Sequence, residues 1–100
     1  MTIWFVTRHP GAIEWAARHG VQYELHASHL DASQVGAGDK VIGSLPVHLA
    51  ADICMNGAEY WNLSLDLNLI DRGRELTADE LTLGNARLER YEIRKYESAP

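Results

Sequence analysis

The spacing of apolar and polar positions changes period several times along the chain. Ile3-Trp4-Phe5-Val6 is a short apolar run rich in β-branched and aromatic residues, and it predicts a buried strand over residues 2–7. Pro10 suits the first turn of a helix, where its missing N–H would have had no partner anyway. Ile13, Ala16 and Ala17 then repeat at the spacing of a core-facing stripe, and Gly20 can end that helix in the left-handed conformation. Residues 21–27 alternate and predict a second strand. His29 to Asp39 is rich in turn residues and reads as a connection with about one helical turn. Lys40 to Ser44 reads as a short buried strand. Pro46 opens a second helix with Leu49, Ala50, Ile53 and Cys54 on one stripe, and Gly57 caps it. A fourth strand is expected within residues 59–67, with Tyr60, Leu63, Leu65 and Leu67 as its apolar members. Thr77 and Glu80 form a capping box, so a third helix is expected from about Ala78 to Tyr91.

Strands alternating with helices predict an α/β fold. The expected form is a mostly parallel sheet of about four strands with helices on both faces. It fills residues 1–91, and residues 92–100 are a polar tail expected to fray. In such sheets ligands bind beyond the carboxyl ends of the strands. Three strand ends then stand out: Thr7-Arg8-His9, Ser44-Leu45-Pro46 and Ser64-Leu65-Asp66. The first two run straight into a helix started by proline.

Composition narrows the function. One hundred residues suit one domain, burying roughly 60–70% of the unfolded surface. The net charge of −5 argues against broad binding to duplex nucleic acid, which needs many phosphate contacts. A small anion in a locally basic cleft stays open. No apolar run approaches the ~20 residues of a membrane span. The N-terminus lacks a basic region ahead of an apolar segment, so no export signal is expected. Cys54 is the only cysteine, which excludes an internal disulfide and suggests a cytoplasmic setting.

Arg8 and His9 carry the sharpest chemistry. Arginine forks onto a phosphate and stays charged, while histidine gives or takes a proton near neutrality. The plainer alternative has Arg8 pairing with an acidic neighbour and His9 capping the turn. Ser44 and Ser64 can donate to a phosphate or ribose, or serve as helix caps. Asp66 is either a general base or a solvated loop residue. Arg72 and Arg74 form a basic lid or a solvated loop. His26, His29 and His48 lack metal-site spacing, and Cys54 sits on an apolar stripe. Trp15 lies off the Ile13 stripe. It is free to stack on a base, fill a dimer interface or fold over the sheet edge.

Two resemblances bear on these residues. Arg8-His9-Pro10-Gly11 is similar to the Arg-His-Gly motif of the histidine phosphatases, but Pro10 interrupts it and the chain is much shorter than those enzymes. The segments WFVTRHPGAIEW, VIGSLPVHLAADIC, LSLDL and RGRELTADEL together resemble a small family of CRISPR-associated ring nucleases from type III systems. That resemblance covers nearly the whole chain. It implies a Rossmann-like fold and the opening of cyclic tetra-adenylate, a cyclic oligoadenylate messenger, without a metal or cofactor. It implies Arg8, His9 and Asp66 as catalytic residues. The ligand-binding set is Thr7, Arg8, Gly11, Ser44, Leu45, Ser64 and Arg74. A symmetric four-nucleotide ring exceeds what one small subunit can enclose, so a homodimer is expected, with Trp15 and Trp61 as interface material. A sensor or sponge that binds the messenger without cutting it stays open. Dinucleotide binding is disfavoured, because no Gly-x-Gly-x-x-Gly follows the first strand.

Overall fold

Ile3–Val6 forms strand β1, and both of its edges are occupied. In the computed structural model, which describes residues 1–66 and 75–100, β1 pairs in parallel with β2 (Leu25–Ala27) and with β3 (Lys40–Gly43). β3 pairs in parallel with β4 (Glu59–Ser64), and β4 pairs antiparallel with β5 (Arg87–Tyr91). The order is therefore β2-β1-β3-β4-β5. This is a small α/β domain with a mostly parallel sheet, compatible with a Rossmann-like fold. Helices α1 (Pro10–Arg18), α2 (Val47–Met55) and α3 (Ala78–Leu83) connect the strands, with a 3-10 turn at Ala32–Gln34.

The chain steps outward from the middle of the sheet in both directions. From β1 it passes through α1 to β2 on one side. From β3 it passes through α2 to β4 on the other. Right-handed crossovers then place α1 and α2 on opposite faces. On one face Phe5, Ile42 and Leu63 pack against Ala12, Trp15 and Ala16 of α1 and against Ala78 and Leu81 of α3. On the other, Val6, Val41 and Tyr60 pack against Ala50 and Ile53 of α2. Helices of six or nine residues are marginal alone, so these apolar faces hold them in place. Each large side chain so buried contributes roughly 1.5–3 kcal/mol.

Two readings from the sequence need correction here. The inward stripe of α1 is Ala12, Trp15 and Ala16, while Ala17 is exposed and Ile13 only half-buried. Trp15 is therefore core, 4% exposed and stacked on His19. Its burial removes it from any interface. The third helix does not reach Tyr91. It stops at Leu83, and a fifth strand follows, so the expected four strands become five.

The three helices of the described residues end alike. In each, a residue with positive φ follows the cap: Gly20 at 67°, Gly57 at 90° and Asn85 at 59°. In each, the next amide reaches back to a carbonyl of the last turn, Val21 to Ala16, Ala58 to Ile53 and Ala86 to Leu81, all within 2.9–3.1 Å. This is the Schellman arrangement, and it turns every helix sharply toward the next strand. Ile93, beyond β5, packs against the α2 face.

Candidate functional site

The strand order reverses between β1 and β3, because their following helices leave to opposite faces. That divergence opens a crevice at the carboxyl ends of the two strands. A cleft of about 480 Å³ lies there. Its floor depends on Gly43. A Cβ at that position would sit 2.5 Å from the Val6 carbonyl oxygen, so only glycine lets β1 and β3 close beneath the cleft. Gly11 plays a similar part at the side. A Cβ there would overlap the Leu76 carbonyl oxygen, so its absence brings Glu75 and Leu76 against the start of α1.

The loop from β1 to α1 is pinned through Thr7. The Thr7 amide donates to the Ala27 carbonyl at 2.9 Å, and His26 Nε2 donates to the Thr7 carbonyl at 2.9 Å. The His9 amide donates to Thr7 Oγ1 at 3.1 Å. Arg8 and His9 follow at the mouth, both exposed. Among the described residues, the Arg8 guanidinium has no hydrogen-bond or ion-pair partner. His9 Nδ1 stands 3.5 Å from a Glu75 carboxylate oxygen. Pro10 has no N–H, and the Ala12 amide is taken by the His9 carbonyl at 3.1 Å. The first turn of α1 therefore offers few free donors. Among the described residues, Arg8 is the arginine that lines the cleft.

The opposite wall comes from the end of β3. Ser44 Oγ donates to the Leu63 carbonyl at 3.1 Å, tying this turn to β4. The Leu45 amide donates to the Tyr60 hydroxyl at 2.9 Å. Burial pushes the Tyr60 phenol above its ordinary range, so it stays protonated. The lower walls are apolar, with Leu49, Leu63, Leu65, Leu76 and Leu81 facing the cleft. The site is thus a basic and imidazole-bearing rim over an apolar trough. It suits a ligand with both anionic and flat apolar parts.

Thr7, Arg8, His9, Ser44 and Leu45 come together in this cleft, as their strand-end positions suggested. Gly11 supports it without lining it. Ser64 and Asp66 are not among the residues that line it. Ser64 Oγ accepts from Asn62 Nδ2 at 2.7 Å. Arg87 holds the Asp66 carboxylate at 3.3 Å, beyond the end of β4. Arg72, Arg74 and Leu67 lie outside the described residues. Ser28 and His29 also line the cleft and were not singled out as binding residues. The signal is in the sequence: they follow β2 as Thr7 and Arg8 follow β1. Among the described residues, no group of three His, Cys, Asp or Glu is placed to hold a metal ion, and no helix is long and apolar enough to cross a membrane.

A family model described as "Putative CRISPR-associated protein (Cas_VVA1548)" matches residues 4–94. The chain belongs to this CRISPR-associated family. From Trp4 onward the match takes in the strands and helices described above, and so includes both walls of the cleft. No curated protein and no solved structure matches the chain.

Proposed function

We propose that this CRISPR-associated protein is a ring nuclease that opens cyclic tetra-adenylate and so ends type III signalling. The observation that carries this reading is an Arg8 with no partner among the described residues, beside His9, at the mouth of a half-apolar cleft over the β1/β3 switch point. The family membership and the resemblance of the four segments supply its direction.

The reaction uses the ligand's own nucleophile. A ribose 2′-oxygen attacks the adjacent phosphorus, the bond to the 5′-oxygen breaks, and a 2′,3′-cyclic phosphate and a 5′-hydroxyl result. The 2′-OH loses one proton and the 5′-oxygen gains one. No metal is required by this chemistry. Arg8 offsets the charge growing on the non-bridging oxygens. His9 takes the proton from the 2′-OH or delivers one to the leaving oxygen. Holding the 2′-oxygen, phosphorus and leaving oxygen in line supplies several kcal/mol more. Adenine rings have an apolar trough to lie against. Two copies of the chain about a two-fold axis give the ring two equivalent half-sites.

The test is incubation with cyclic tetra-adenylate in the presence of a chelator, followed by chromatography of the products. Linear fragments ending in a 2′,3′-cyclic phosphate are expected. Retention of intact ring would make the protein a sensor or sponge. Absence of both binding and turnover would overturn the reading.

A further inference from the structure

β4 presents alternate side chains to opposite faces, so Tyr60, Asn62 and Ser64 share one face. They form a polar ladder running from the core toward the cleft end of the sheet. The Tyr60 side chain is buried, at 2% exposure, and its hydroxyl meets three groups. It accepts from the Leu45 amide at 2.9 Å. Its single proton faces Asn62 Oδ1 at 2.5 Å, with the Gly43 carbonyl farther off at 3.2 Å. The Asn62 amide group then donates to Ser64 Oγ at 2.7 Å.

Gly43 and Leu45 flank Ser44, and all three line the cleft. One buried hydroxyl therefore holds the turn at the Leu45 amide, next to the residue that presents the wall, while its own proton is anchored on Asn62. Phenylalanine would fill the same space in the core. The bond the hydroxyl accepts comes from the turn, at Leu45.

We infer that Tyr60 is a positioning residue: its hydroxyl fixes the Gly43–Leu45 turn and so sets the cleft geometry in which ring opening occurs. The inference rests on the proposed function for its catalytic consequence, but the grip on the turn is testable without ligand. Tyr60→Phe keeps the ring and removes only the hydroxyl. Leu45 loses its acceptor, while the backbone ladder between β1 and β3 is untouched.

Two measurements separate this from a purely structural role. The first is amide hydrogen exchange without ligand. Leu45 should lose protection in Tyr60→Phe while Val41 and Ile42 keep theirs. Unchanged exchange at Leu45, or an equal loss across the sheet, would overturn the inference. The second is single-turnover cleavage beside affinity for cyclic tetra-adenylate. The rate should fall roughly 10- to 100-fold, as misplacement of a wall costs reactivity, with a much smaller change in affinity. A native rate alongside a loosened Leu45 would also overturn it. Should the wild-type protein not act on cyclic tetra-adenylate, the proposed function fails, and exchange at Leu45 alone decides whether Tyr60 holds the turn. If Tyr60→Phe fails to fold, Asn62→Ala leaves the hydroxyl with partners on the turn alone: Leu45 keeping its protection in that variant supports the grip, and Leu45 losing it while Val41 and Ile42 keep theirs overturns it.

Discussion

The Glu75 carboxylate faces the His9 imidazole at 3.5 Å across the mouth of the cleft, close to the cation that would meet an incoming phosphate. Both side chains are more than half exposed, so the surrounding water weakens their attraction. Glu75 also repels an anion approaching Arg8. Glu75→Gln should therefore tighten binding of cyclic tetra-adenylate by a few-fold at low salt, with the difference shrinking as salt is raised. Titration at two ionic strengths checks this. Weaker binding by the variant would mean that the carboxylate helps to place the ligand.

Arg8 and His9 should separate kinetically. Arg8→Ala removes a charge used in both ground and transition states, at roughly 1.5–3 kcal/mol for a charged hydrogen bond, so affinity and rate should both fall. His9→Ala should leave affinity nearly intact and slow cleavage on the order of 10²–10⁴-fold. Both side chains are exposed, so melting temperatures should stay close to wild type. Single-turnover rates, affinities and melting curves for each variant provide the check. A native rate in His9→Ala would remove it as the proton-transfer group.

The left-handed turn at Asn85 should be sensitive to residue type. Asn85→Ala places a poorly suited residue at a φ of 59° and should cost about 1 kcal/mol. In a domain of this size that lowers the melting temperature by roughly 4–8 °C. Asn85→Gly should match or exceed wild type. Thermal melts distinguish the two. Equal melting of both variants would show that the turn tolerates any residue.

Asp39 makes folding dependent on acid. Its carboxylate accepts from the Gly36 amide at 3.0 Å and the Thr2 amide at 2.8 Å, and these bonds hold its pKa below the ordinary carboxylate range. A depressed folded pKa means stability that is full above the unfolded value of about 4 and is lost as pH falls through the folded one. Wild-type melting temperature should therefore drop below about pH 4 more steeply than that of Asp39→Asn. Parallel curves for the two proteins would show that other groups, such as Asp31 and Glu59, dominate the acid response.

The parts of the fold that sequence shows most clearly are those marked by proline and glycine. Pro10 and Pro46 start helices after buried runs, and Gly20 and Gly57 end them, so β1 to β4 and the first two helices could be read directly. The third helix ends by the same device with Asn85 in place of glycine, which hid the stop. The polar spacing of Arg87 to Tyr91 then passed for a helix face, although it belongs to an edge strand. One misreading had a second effect. Without β5 the sequence offers no Arg87 beside Asp66, which the structure pairs at 3.3 Å. The rest of the site was legible because a strand end followed by a helix confines its residues to one place. What the sequence could not show is the grip of Tyr60 on Leu45, which joins residues fifteen apart through the depth of the core.

The central place of β1 also sets an order of events during synthesis. β1 leaves the ribosome before β3, its partner, which begins at Lys40, paired with Ile3. Such non-local pairing is slow and must wait for the intervening chain. The two walls of the cleft therefore meet only after β2 and its connections have been made. Until then the apolar edge of β1 is exposed, and the nascent chain is open to mispairing. The cleft is thus a late product of folding, and a chain stopped before β3 has no site at all.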